Sequence, residues 1–208
     1  ALLPVIYSLF IGGYINKFKG FGVELESAIK APVTTLDLKA SDAVANIPGD
    51  EKKSIMYLED MSNEKANSIR WLLFTSGKRD YYAVWAVKEY LERLPNLEFF
   101  EVRSQMNEII CFIPVEAFQI NGQNTNEKFD IERIQKFVDA INESRVPSDF
   151  SDVSITLRVQ SNATLIDVLK KMRFENTKLA AVISETGRYI GVVFARDVES
   201  RIADSVLN

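Results

Sequence analysis

Histidine is absent from the 208 residues and cysteine occurs once. Those two counts remove Ser-His and Cys-His nucleophile pairs, the usual zinc ligands and any internal disulfide. Carboxylate, lysine or tyrosine chemistry remains open, but no P-loop, dinucleotide fingerprint, EF-hand or kinase pattern is present. No catalytic or metal-ligating residue is therefore assigned, and the chain is read as a non-enzyme. Cys111 sits in the apolar run Ile109–Ile113 and reads as a small buried hydrophobe. The residues best suited to a ligand lie near the C-terminus. Arg188 and Arg196 suit either a phosphate or a solvated face. Between them, Gly191 suits a close backbone approach or strand twist. Asp197, at the start of a predicted helix, suits an N-cap. In the first half, Lys78-Arg79 precede a helix whose Tyr81, Tyr82, Trp85 and Tyr90 serve packing or, alternatively, base stacking.

The elements that position these residues follow from apolar spacing. Thr164–Phe174 carries Leu165, Val168, Leu169 and Met172 at helical intervals, and Thr164 with Asp167 forms a capping box. Leu179–Ile183 and Tyr189–Phe194 are short apolar strands around the turn Glu185-Thr186-Gly187. Asp197–Val206 is the last helix, and Ile155–Val159 is a strand before the group. Upstream, the spacing predicts a strand at Arg70–Thr75 and a helix at Tyr81–Leu94 capped by Asp80. Strands follow at Leu97–Arg103 and Glu108–Val115, a polar loop at Asn121–Asn126, and a helix at Asp130–Asn142. Residues 70–142 and 155–207 thus share one order, strand–helix–strand–strand–helix, without sequence identity.

Residues 1–15 carry no charge. As a helix they span about 22 Å, and a few more apolar residues upstream would complete a membrane crossing. Lys17 and Lys19 follow, which places that side in the cytoplasm. A signal remnant and a buried soluble helix are the alternative readings. Residues 22–47 read as a connector, in which Gly22-Val23-Glu24-Leu25-Glu26 alternates with period two. The net charge of −4 offers no general attraction to duplex nucleic acid.

The stretch from Val159 to Met172, the hairpin Leu179–Val193 and the aspartate Asp197 together resemble a cystathionine-β-synthase-type (CBS) domain over about 50 residues. Such domains usually occur as pairs that bind adenosine nucleotides, often dimerise, and regulate attached channels, transporters or enzymes. The resemblance implies that Asp197 holds a ribose. It also exposes a departure: Phe194 occupies the position of the family's Thr or Ser, so the hydroxyl that helps hold ribose and phosphate is missing.

The sequence thus predicts an α/β protein of two CBS-like units packed as a pair after a hydrophobic membrane-type helix. The predicted divisions are a membrane helix at 1–19, a connector at 20–68, a degenerate unit at 69–146 and a clearer unit at 147–208. The expected function is a membrane-anchored sensor or regulator with a cytoplasmic C-terminal part. It would bind an adenosine or cyclic nucleotide through Asp197, Arg196, Gly191 and Arg188 and signal by homo-oligomerisation. No other cofactor is expected. The alternative is a ligand-free scaffold subunit of a membrane complex.

Overall fold

The computed structural model describes residues 30–36, 44–46, 48, 50–120 and 128–207. The expected membrane segment, the alternating stretch 22–26 and the polar loop 121–126 lie outside them. Among the described residues no helix is long and apolar enough to cross a membrane. The chain divides into a larger unit, residues 41–156, and a smaller one that joins 157–208 to the described residues 30–36.

The larger unit contains a four-stranded sheet in the order β1 (Val44–Asn46), β2 (Trp71–Thr75), β3 (Phe99–Arg103) and β4 (Ile109–Pro114). The first three strands run parallel and β4 is antiparallel. Its helices are α1 (Glu51–Glu59), α2 (Asn63–Ser68), α3 (Val84–Arg93), α4 (Ile131–Asn142) and α5 (Val146–Asp149). The core is aromatic. Phe74, Phe100 and Phe118 each lie within 5.3 Å of the Phe137 ring, and Phe150 packs at 5.7 Å. Offset and edge contacts of this kind add to area burial. Asp130 caps α4 by accepting from the backbone N–H groups of Glu132 and Arg133 at 3.0 and 3.1 Å.

The smaller unit has a three-stranded sheet, β5 (Arg158–Gln160), β6 (Leu179–Ile183) and β7 (Tyr189–Phe194), with helices α6 (Leu165–Phe174) and α7 (Ala195–Leu207). Strands β5 and β6 are parallel, β6 and β7 antiparallel. The predicted stripe of α6 is fully buried, with Val159, Val182, Val193 and Val198 around it. Thr164 accepts from the Asp167 N–H at 3.3 Å and donates its hydroxyl to that carboxylate at 2.6 Å, as the capping box requires.

The two units repeat each other in backbone detail. In β6–β7, Val182 pairs with Gly191 and Ile183 with Tyr189, which leaves Ile190 as the extra residue of a bulge. In β3–β4, Val102 pairs with Cys111 and Arg103 with Ile109, which leaves Ile110 in the same place. Both turns open on a serine. The Ser104 N–H donates to Glu108 O and the Ser184 N–H to Arg188 O, each at 2.8 Å. The left-handed residue is Asn107 in one turn and Gly187 in the other.

Three expectations need correction. The predicted connector is not structureless: it contains β1, α1 and α2, and Val33 is wholly buried in the smaller core. The stretch Arg145–Asp152, read as a linker, contains α5. Ile155 exchanges both backbone bonds with Phe112 of β4, which keeps 147–156 with the larger unit and shortens the predicted strand to β5. Asp80 does not cap α3. It is left-handed (φ 52°), and α3 begins three residues after the expected start, behind Ala83.

Candidate functional site

Strand β7 passes into α7 without a loop, so the residues at their junction are fixed by both elements. Phe194 is buried at the end of β7, and the Arg196 guanidinium lies 4.8 Å from its ring centre. That contact aligns the arginine on an apolar plate while its side chain stays half exposed. Asp197 follows, its carboxylate 3.8 Å from Arg196 Nε. The helix starts at Ala195, so Asp197 is not the residue before the helix that an N-cap would be. It lies within the first turn, where the helix dipole favours a carboxylate. The junction combines one cation for an anion, one acceptor for hydroxyl donors, and the backbone N–H groups of a helix start.

The other two residues singled out lie elsewhere. Gly191 is buried in mid-strand beside the bulge, opposite Val182. Arg188 is exposed in the β6–β7 turn, where its N–H donates to Ser184 Oγ at 3.0 Å. The six residues of β7 separate Arg188 from the junction by roughly 20 Å. One small ligand group cannot touch Arg188 and Arg196 together.

A second place was not legible in the sequence. At the carboxyl ends of β2 and β3, a cleft of about 630 Å³ is lined by Gly77, Arg79, Asp80, Gln105, Asn142 and Ser144, among others. Open α/β sheets commonly bind ligands at such ends. Gly77 (φ +82°) lets the backbone turn there, and Gln105 Nε2 donates to its carbonyl at 2.9 Å. Asp80, Asn107 and Ser144 are three of the four left-handed non-glycine residues described, and Asp80 and Ser144 line the cleft. Arg79, flagged for an anion, lies here beside carboxylates. Only the Ser76-Gly77 strand stop hinted at the place, because the lining comes from positions far apart in sequence.

The aromatic group splits. Tyr82 and Tyr90 are buried, and the Thr75 N–H donates to the Tyr82 hydroxyl oxygen at 2.7 Å. Tyr81 and Trp85 are exposed, each with a lysine ammonium over its ring, Lys78 at 4.6 Å and Lys88 at 5.2 Å. Burial pushes the Cys111 thiol up to about 12, so it carries no thiolate at neutral pH. Among the described residues no group of three or more Cys, Asp or Glu could hold a metal ion.

No protein-family model matches the chain, and no curated protein does. Solved structures of CBS domains do. One is a CBS-domain pair with bound AMP from Klebsiella pneumoniae, at 14% identity and TM-score 0.45, covering 84% of this chain and 99% of that one. Another is the CBS domain of a bacterial CNNM/CorC family Mg2+ transporter in complex with ATP, at 13% identity and TM-score 0.41, covering 74% and 94%. A third is a CBS domain protein from Shewanella oneidensis MR-1, at 14% identity and TM-score 0.37, covering 61% and 84%. At such identities, side-chain roles do not transfer from those proteins to this one.

Proposed function

We propose that this chain is a regulatory or sensor protein whose CBS-like units take a nucleotide-type ligand. The observation that supports it best is the β7–α7 junction. There Arg196, laid over Phe194, offers a phosphate partner, and Asp197 one residue on offers an acceptor for ribose hydroxyls. In this reading residues 1–15 anchor the protein in a membrane with the rest in the cytoplasm. Ligand state passes to that anchor through a change in homo-oligomerisation. No step of catalysis is assigned. The test is titration of the full chain with AMP, ATP and cyclic nucleotides, with Arg196→Ala in parallel. Saturable binding that weakens in the variant supports the reading, and no binding sinks it.

A ligand-free scaffold is the second reading, and Phe194 favours it. The ring is only 3% exposed and fills the position at which the resemblance calls for a hydroxyl. A scaffold keeps one oligomeric state with or without nucleotide, which light scattering after gel filtration reads directly. A monomer under all conditions excludes it.

A further inference from the structure

The smaller unit has an apolar groove that its own described residues leave open. It has a volume of about 560 Å³ and lies between the start of β5 and the end of α6, lined by Leu157, Arg158, Lys170, Lys171, Phe174 and Glu175. Phe174 closes α6 but falls off its buried stripe, and its ring is 88% exposed. A lone exposed apolar residue needs no explanation, but this one borders a concave surface. Neither Lys170 nor Lys171 has an ion-pair partner among the described residues. Three cations and one carboxylate surround the apolar floor, so the chemistry fits an acidic segment with apolar anchors.

We propose that the occupant is the chain's own segment at residues 21–26. There Phe21, Val23 and Leu25 alternate with Gly22, Glu24 and Glu26. In extended form such a segment turns its apolar residues to one side and its two carboxylates to the other. The first set meets Leu157 and Phe174, and the second meets the lysines at the rim.

The tether has the right length. The Val33 N–H donates to Ala163 O at 2.8 Å and the Leu165 N–H to Ala31 O at 3.0 Å, which fixes residues 31–33 beside the start of α6. The groove lies at the other end of that ten-residue helix, about 15 Å away. Five residues, from 26 to 31, reach about 17 Å when extended. A tether this short holds the segment near the groove at an effective concentration in the millimolar range, so modest contacts suffice. Docking would fix the N-terminal stretch to the smaller unit whether or not a nucleotide binds.

The test uses the full chain carrying Leu25→Cys and Phe174→Cys, with the buried Cys111 left in place. Mild oxidation is expected to form a disulfide between positions 25 and 174 within one chain, with a yield independent of protein concentration. Leu25→Cys with Thr186→Cys, in the exposed β6–β7 turn, is expected to form little. Lys170→Glu with Lys171→Glu should lower the first yield about fivefold, and Glu24→Lys with Glu26→Lys should restore it. Cross-links only between chains, equal yields for the two pairs, or no effect of charge reversal would each overturn the proposal.

Discussion

Gly77 and Gly187 share one backbone torsion, φ +82°, but not their surroundings. A Cβ at Gly187 would meet nothing within 4 Å, whereas one at Gly77 would lie 3.0 Å from both Gln105 Nε2 and Ser144 Oγ. Gly187→Ala is therefore expected to cost about 1 kcal/mol, for the left-handed torsion alone. Gly77→Ala should cost about 2 kcal/mol, because it also disturbs the Gln105 hydrogen bond. Urea unfolding of the two variants measures the difference. Burial raises the Cys111 thiol from 9.0 to about 12 and raises the Tyr82 and Tyr90 phenols above 10.0. The fold holds all three neutral while the unfolded chain lets them ionise. Their contribution is complete below pH 9 and declines as pH rises from there towards 12. Urea midpoints should fall from about pH 9 upward, and in Cys111→Ala the decline should begin nearer pH 10, where the tyrosines take over.

The elements that the sequence made legible are those with a long buried face. Helix α6 begins one residue after its predicted cap because Thr164 and the stripe through Met172 specify it together. Strands β6 and β7 keep their predicted bounds because an apolar run flanked by turn residues has few alternatives. Helix α1 escaped notice because only Ser54 and Leu58 are buried on it, too few to mark a period. Strand β1 has three residues, shorter than any alternation can reveal. Thr164→Ala should cost about 1 kcal/mol through the lost cap. Ala83 precedes α3 in an extended conformation without a side-chain cap. Ala83→Asp should therefore stabilise the protein by about 1 kcal/mol, read as a higher urea midpoint.

Across the whole molecule, the repeat is carried by backbone geometry. The same serine-led turn and the same bulge occur in both hairpins, yet the residues at matching places differ, as with Cys111 and Gly191. Sequence reading therefore finds the element order but not how closely the hairpins agree. The site was legible to the same partial degree. Arg196 and Asp197 are neighbours in sequence and in space, while Arg188 lies at the far end of a strand whose length separates them. The cleft at Gly77 could not be foreseen, since its lining is gathered from four separate segments. The central claim is that the β7–α7 junction takes a nucleotide. Thermal unfolding of the full chain with AMP, ATP and cyclic nucleotides tests it most directly. At a hundredfold excess over Kd, a bound nucleotide should raise the midpoint by about 5 °C, and Arg196→Ala should remove most of that rise. An unchanged midpoint with every nucleotide would contradict the claim.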